Sequence, residues 1–144
     1  MSQIMAMDYG EKRTGIAVTD DLQIIASGLT TVSTDSLMEF LESYLKKEKV
    51  ELFLIGEPKQ RDNKPSEIES QIRPFIRKLS SRFPKIPIER VDERFTSKMA
   101  FQSMIDSGMR KGKRRDKALV DEISATIILQ SYLSGRESMN KGEK

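Results

Sequence analysis

The apolar positions of this chain fall into short blocks, and the spacing within each block predicts its element. Ile4-Met5-Ala6-Met7 is an apolar run that ends at Asp8 and leads into Tyr9-Gly10. Thr14 to Val18, with Thr19, is a second strand candidate; the short Tyr9 to Arg13 connection has hairpin length, with Gly at the bend. A third strand fits within Gln23 to Thr31, so the chain opens as a three-stranded meander. Leu37, Phe40, Leu41, Tyr44 and Leu45 then share one helical face, with Thr34, Asp35 and Ser36 available as N-caps. Leu52-Phe53-Leu54-Ile55-Gly56 is continuously apolar, as in an interior strand covered on both faces. Ile68, Ile72, Phe75, Ile76 and Leu79 form a second helical stripe, in which Pro74 predicts a kink or a restart.

Ile86 to Val91 is the fifth strand candidate, ending at Asp92-Glu93. A helix over about 96–107 precedes a basic stretch, and a last helix over about 117–133 is expected to stop at Ser134-Gly135. The order is β-β-β-α-β-α-β-α-α, without an internal repeat or linker. It predicts one α/β domain over 1–135, with 136–144 as a frayed tail.

Composition narrows the chemistry. The chain has no His and no Cys. That removes histidine general bases, Ser-His-Asp and Cys-His catalysis, thiolate sites and disulfides. Carboxylates without soft ligands favour hard cations, Mg²⁺ or Mn²⁺. No apolar run approaches the length of a membrane helix, and Asp8 breaks the N-terminal run too early for a signal peptide, so a cytoplasmic address is expected. The formal net charge is only +3, but its distribution is uneven: Arg110, Lys111, Lys113, Arg114 and Arg115 crowd one stretch. Taken alone, such a stretch is as readily a solvated loop as a phosphate-binding one.

Two acids interrupt core-facing patterns. Asp8 continues the alternation Ile4, Ala6, Asp8, and Asp121 lies in the helical series Ala118, Asp121, Ala125, Ile128, Tyr132, which is otherwise largely apolar. A carboxylate near a core face is costly unless paired or metal-bound. A lone strand-end Asp is more often a turn residue, and an acid in a helix's first turn more often answers the helix dipole. Together with the acids Asp92 and Glu93 after the fifth strand, they suggest a shared cation.

Met7-Asp8-Tyr9-Gly10 with Thr14-Gly15-Ile16-Ala17-Val18 resembles the first hairpin of the YqgF/RuvX-like proteins, described as Holliday-junction resolvases and pre-16S rRNA nucleases. Ile55-Gly56-x-Pro58, the block Val91 to Ser97, and Lys117-x4-Glu122 with Ile127 to Leu133 extend the likeness over nearly the whole chain. The resemblance implies a ribonuclease H-like fold, with a five-stranded mixed sheet (an antiparallel meander plus two parallel strands) flanked by helices. It also implies a metal-holding catalytic triad, carried here onto Asp8, Glu93 and Asp121, with Asp92 the alternative for the middle position. The chain departs from the family after Gly56: Glu57 replaces an apolar residue before Pro58, and Lys59 to Ser66 replaces an Asn-Met-Asp-Gly-like loop.

The expectation is a hydrolase, a divalent-metal-dependent nuclease acting on precursor 16S rRNA, with branched DNA as the alternative substrate. In it, Asp8, Glu93 and Asp121 hold one or two ions, Gly10 lets the backbone approach the phosphate, and Lys12 or Arg13 contacts it. Arg94 and the Arg110, Lys111, Lys113, Arg114, Arg115 stretch bind flanking phosphates. No membrane partner is expected, and the assembly is a monomer or homodimer. Asp8-x-Gly10 with Thr14-Gly15 also resembles the first phosphate loop of sugar-kinase and actin-like ATPases, but 144 residues cannot supply their two lobes. A non-catalytic nucleic-acid-binding module is the remaining alternative.

Overall fold

A computed structural model describes residues 2–58, 67–92 and 117–142, with side chains described in all of these except 117–119 and 136–142. The meander forms from β1 (Gln3–Tyr9), β2 (Arg13–Thr19) and β3 (Ala26–Ser33). A 3-10 turn (Thr34–Ser36) leads into α1 (Leu37–Lys47), followed by β4 (Val50–Glu57), α2 (Glu69–Arg82), β5 (Ile88–Asp92) and α3 (Lys117–Gly142). The helix expected over 96–107, the basic stretch and the 59–66 loop lie outside the described residues.

The sheet has the order β3-β2-β1-β4-β5. The meander pairs are antiparallel and the β1–β4 and β4–β5 pairs parallel, which is the mixed sheet expected. Its two faces pack against different helices. On one face Met5, Met7, Ile16, Val18, Phe53 and Ile55 pack against Leu37 and Leu41 of α1 and Ile72 and Leu79 of α2. On the other, Ile4, Ala6, Ala17 and Leu54 pack against Ala125, Ile128 and Leu129 of α3. Alternation along β1 and β2 sends bulky residues to the first face and the small Ala6, Gly15 and Ala17 to the second. Small residues let α3 lie close on β1 and β2, and this approach sets the geometry of the site.

Four local expectations take definite form in the structure. β3 starts inside the expected 23–31 window, at Ala26, and runs on to Ser33, because the Asp20 carboxylate accepts backbone N–H bonds from Leu22, Ile24 and Ile25 and holds those residues in a loop before it. Ser36 makes no side-chain cap on α1. Instead the Thr34 hydroxyl donates to the Gly10 carbonyl at 2.7 Å and sits 2.9 Å from the Thr14 hydroxyl, fastening the β1–β2 turn. α2 runs through Pro74 as one helix. Ser70, whose carbonyl would have received the missing N–H, is exposed, so water can serve it. Finally, α3 continues through Ser134-Gly135 to Gly142. A Cβ at Gly135 would meet nothing within 4 Å, so the glycine neither demands nor enforces a helix end there.

Candidate active site

β1 delivers Asp8 to the α3 side of the sheet, since Ile4 and Ala6, with the same strand parity, pack under that helix. In the β1–β2 ladder Asp8 pairs with Gly15. A Cβ on Gly15 would lie 2.0 Å from the Asp121 carbonyl oxygen and 2.9 Å from the Glu122 backbone nitrogen. The turn of α3 that carries Asp121 therefore fills the space a side chain would take at the ladder position facing Asp8. This sets the Asp121 backbone over the ladder position paired with Asp8. Both acids are half-buried.

The third corner is Arg13, two residues from Gly15 on the same face of β2. Its Nε donates to Asp121 Oδ2 at 3.1 Å, and the two side chains are 40% and 24% exposed. A guanidinium thus already offsets part of the negative charge. Lys12, also expected to contact the substrate, is exposed on the turn, and its carbonyl accepts the Thr34 backbone N–H at 3.0 Å. Gly10 has a steric reason of its own: a Cβ there would meet the Arg13 carbonyl oxygen at 2.4 Å.

Strand parity separates the candidates for the middle acid. Val91 packs on the α3 side of the sheet. Arg90 turns to the α2 side, where it pairs with the buried Glu69 and donates to the Ile55 and Gly56 carbonyls at 3.2 and 2.9 Å. Asp92 shares the parity of Arg90, away from Asp8. Glu93 lies outside the described residues, as do Arg94, Arg110, Lys111, Lys113, Arg114 and Arg115. Among the described residues no three acids converge as a metal site. Asp8 and Asp121 nevertheless suit a hard divalent cation: they are oxygen donors, partly open to water, on facing elements, and a cation of this kind accepts waters for its remaining positions.

Sequence reasoning missed Glu69, and read Thr34 only as a helix-cap candidate rather than the residue that fastens the Gly10 turn. Glu69 is 4% exposed and lies under Arg90 and Arg73. Hydrogen bonds from Arg90, and then from Arg73, hold its carboxyl below the usual carboxylate range despite burial. Its signal was an acid at helical spacing within the stripe Ile68, Ile72, Phe75.

Residues 2–135 match the family described as "RuvX: Holliday junction resolvase". A protein of Christiangramia forsetii named as a pre-16S rRNA nuclease is 65% identical over 133 residues, covering 92% of this chain and 98% of its own length. One of Flavobacterium psychrophilum with the same name is 61% identical over 134 residues, covering 93% and 98%. Among solved structures, the Holliday junction resolvase of fowlpox virus shares the fold, with a TM-score of 0.54 at 14% identity over 92% of this chain and 99% of that one. A complex of that resolvase with junction DNA matches with a TM-score of 0.52.

Proposed function

The chain belongs to the RuvX family, and from that premise we propose that it is a divalent-metal-dependent endonuclease that processes precursor 16S rRNA in the cytoplasm. The observation that carries this reading is the closure of α3 on Gly15, which sets Asp121 beside the strand position of Asp8. The names of its relatives support the RNA substrate. No helix among the described residues is long and apolar enough to cross a membrane.

Asp8 and Asp121 would hold the ion, with Glu93 as the third ligand, since Asp92 has the strand parity that faces away from Asp8. Mg²⁺ or Mn²⁺ bound there would supply an activated water and neutralise charge on the departing oxygen. The chain's own groups do the rest. Thr34 holds the Gly10–Lys12 turn in shape, so Lys12 is presented to a phosphate from a fixed backbone. Arg13 holds the Asp121 carboxylate in place and is near enough to meet a phosphate arriving between the acids. The basic residues from Arg110 to Arg115, with Arg94, would bind flanking phosphates irrespective of sequence.

The family description and the shared fold favour a second substrate, four-way branched DNA. The two are separated by incubating precursor 16S rRNA and a four-way DNA junction side by side with Mg²⁺ or Mn²⁺. Cleavage of the precursor at a defined position, with the junction intact, is the expected result. Cleavage of the junction alone would transfer the assignment to resolution.

A further inference from the structure

Tyr9 follows Asp8 in β1 and therefore points to the opposite face of the sheet. There it enters a groove of about 640 Å³ between the start of α1 and α2. Asp35, Met38, Phe75, Arg77 and Lys78 also line it. The Tyr9 and Phe75 rings lie 5.0 Å apart between centroids and are inclined by 35°, giving the groove an aromatic wall. Its charge is equally specific. α2 carries four cations on its exposed side, and two are neutralised: Arg73 by Glu69 and Arg82 by Glu42. Arg77 and Lys78, the two that line the groove, are exposed and make no ion pair among the described residues.

We propose that this groove binds an unpaired nucleotide of the nucleic-acid strand next to the one held at Asp8 and Asp121. The base would lie against Tyr9, Phe75 and Met38, and Arg77 and Lys78 would meet its phosphates. The Asp35 carboxylate can accept from a base amino group or a ribose hydroxyl, but offers nothing to a phosphate. Aromatic walls bind any base through its π face, provided that face is free. In a duplex both faces are covered by neighbouring pairs, so the groove discriminates by strandedness rather than by sequence. Asp8 and Tyr9 are adjacent residues on opposite faces of one strand, so a single chain of nucleotides passing over the end of β1 can reach both. The proposal rests on the nuclease reading only for the neighbouring occupant.

The test measures binding without divalent metal, so no cleavage intervenes. Affinities are determined for a single-stranded RNA, a single-stranded DNA of the same sequence and a fully paired RNA duplex. Phe75→Leu keeps an apolar side chain but removes the aromatic face. It should lower affinity for both single strands about tenfold, as expected for one stacked base, and change duplex affinity by less than about twofold. Because Phe75 also touches the core, the surface double variant Arg77→Ala/Lys78→Ala gives an independent reading, with the same preference for single strands and a shallower salt dependence. A 2-aminopurine in the single strand should be quenched by wild type and less by Phe75→Leu. Equal losses on single strand and duplex, or no loss on either, overturn the groove assignment. Failure of the wild-type protein to bind either single strand overturns it as well, whereas the nuclease reading is decided separately, by cleavage with Mg²⁺ or Mn²⁺.

Discussion

Gly15 and Gly28 sit on the same side of the sheet beneath α3, yet they respond differently to a methyl group. At Gly15 the obstacle is the backbone of Asp121, which no rotamer change can move. At Gly28 the nearest atoms are side-chain atoms of Thr126 and Glu122 at 3.3 Å and beyond, which can yield. Gly15→Ala should therefore cost about 3 kcal/mol and displace the turn that carries Asp121. Gly28→Ala should cost less than about 1 kcal/mol, since Ala also suits a strand better than Gly. Urea unfolding of the two variants measures the contrast; equal costs would mean that α3 is not held against β2 at this point. Arg13 allows a second test. Its pair with Asp121 is partly exposed, so Arg13→Ala should cost at most about 1 kcal/mol of stability without metal. The same change removes the cation that shares Asp121, so Mg²⁺ should raise the melting temperature of the variant more than that of wild type. An equal rise in both would show that Arg13 and the ion do not meet.

Between elements, the Glu69–Arg90 pair joins α2, β5 and the end of β4. The Glu69 side chain is 5% exposed and that of Arg90 is 23% exposed. Arg90 donates to two β4 carbonyls as well, so removing either partner strands buried polar groups. Glu69→Gln keeps the shape and loses the charge, and should cost about 3 kcal/mol at neutral pH. The sign of the pH effect follows from the direction of the shift. Glu69 is held below its ordinary range, so its contribution is complete above that range and disappears as pH falls through the folded value. Stability measured by urea titration should thus fall in acid for wild type and fall less for Glu69→Gln. The elements themselves were largely legible from periodicity, because alternation of large and small residues on β1 and β2 marks two buried faces. What escaped were elements shaped by polar groups distant in sequence or by solvent. Ile24 and Ile25 look like strand residues, yet they are 68% and 62% exposed, because Asp20 gathers their N–H groups into a loop. Gly135 looks like a helix end, yet nothing in its surroundings makes use of it.

Across the whole molecule, the mixed sheet was legible through the resemblance of the sequence to its family, and Asp8 and Asp121 stood out because each acid broke an apolar series that pointed inward. The choice between Asp92 and Glu93 was not legible in this way. It depends on which face Arg90 takes, and that is decided by Glu69, twenty-one residues earlier in the chain. The nuclease reading itself stands or falls on Asp8. Asp8→Asn preserves the shape of the side chain but removes a charge that a hard cation requires. Cleavage of precursor RNA should fall to background with Mg²⁺ or Mn²⁺, while RNA affinity stays the same or rises, because one negative charge near the phosphate is gone. Without metal, stability should change by less than about 1 kcal/mol, since Arg13 already offsets part of the local charge. With metal the two proteins should diverge: an ion at a hundred times its dissociation constant adds about 2.7 kcal/mol to the form that binds it and nothing to the form that does not. Melting curves with and without Mg²⁺ measure this apart from activity. If wild type and Asp8→Asn gain equally from the ion and cleave equally, Asp8 is no metal ligand, and with no His or Cys in the chain a metal-dependent mechanism at this site has no replacement. If neither gains and neither cleaves, the fold serves this chain as a nucleic-acid-binding module.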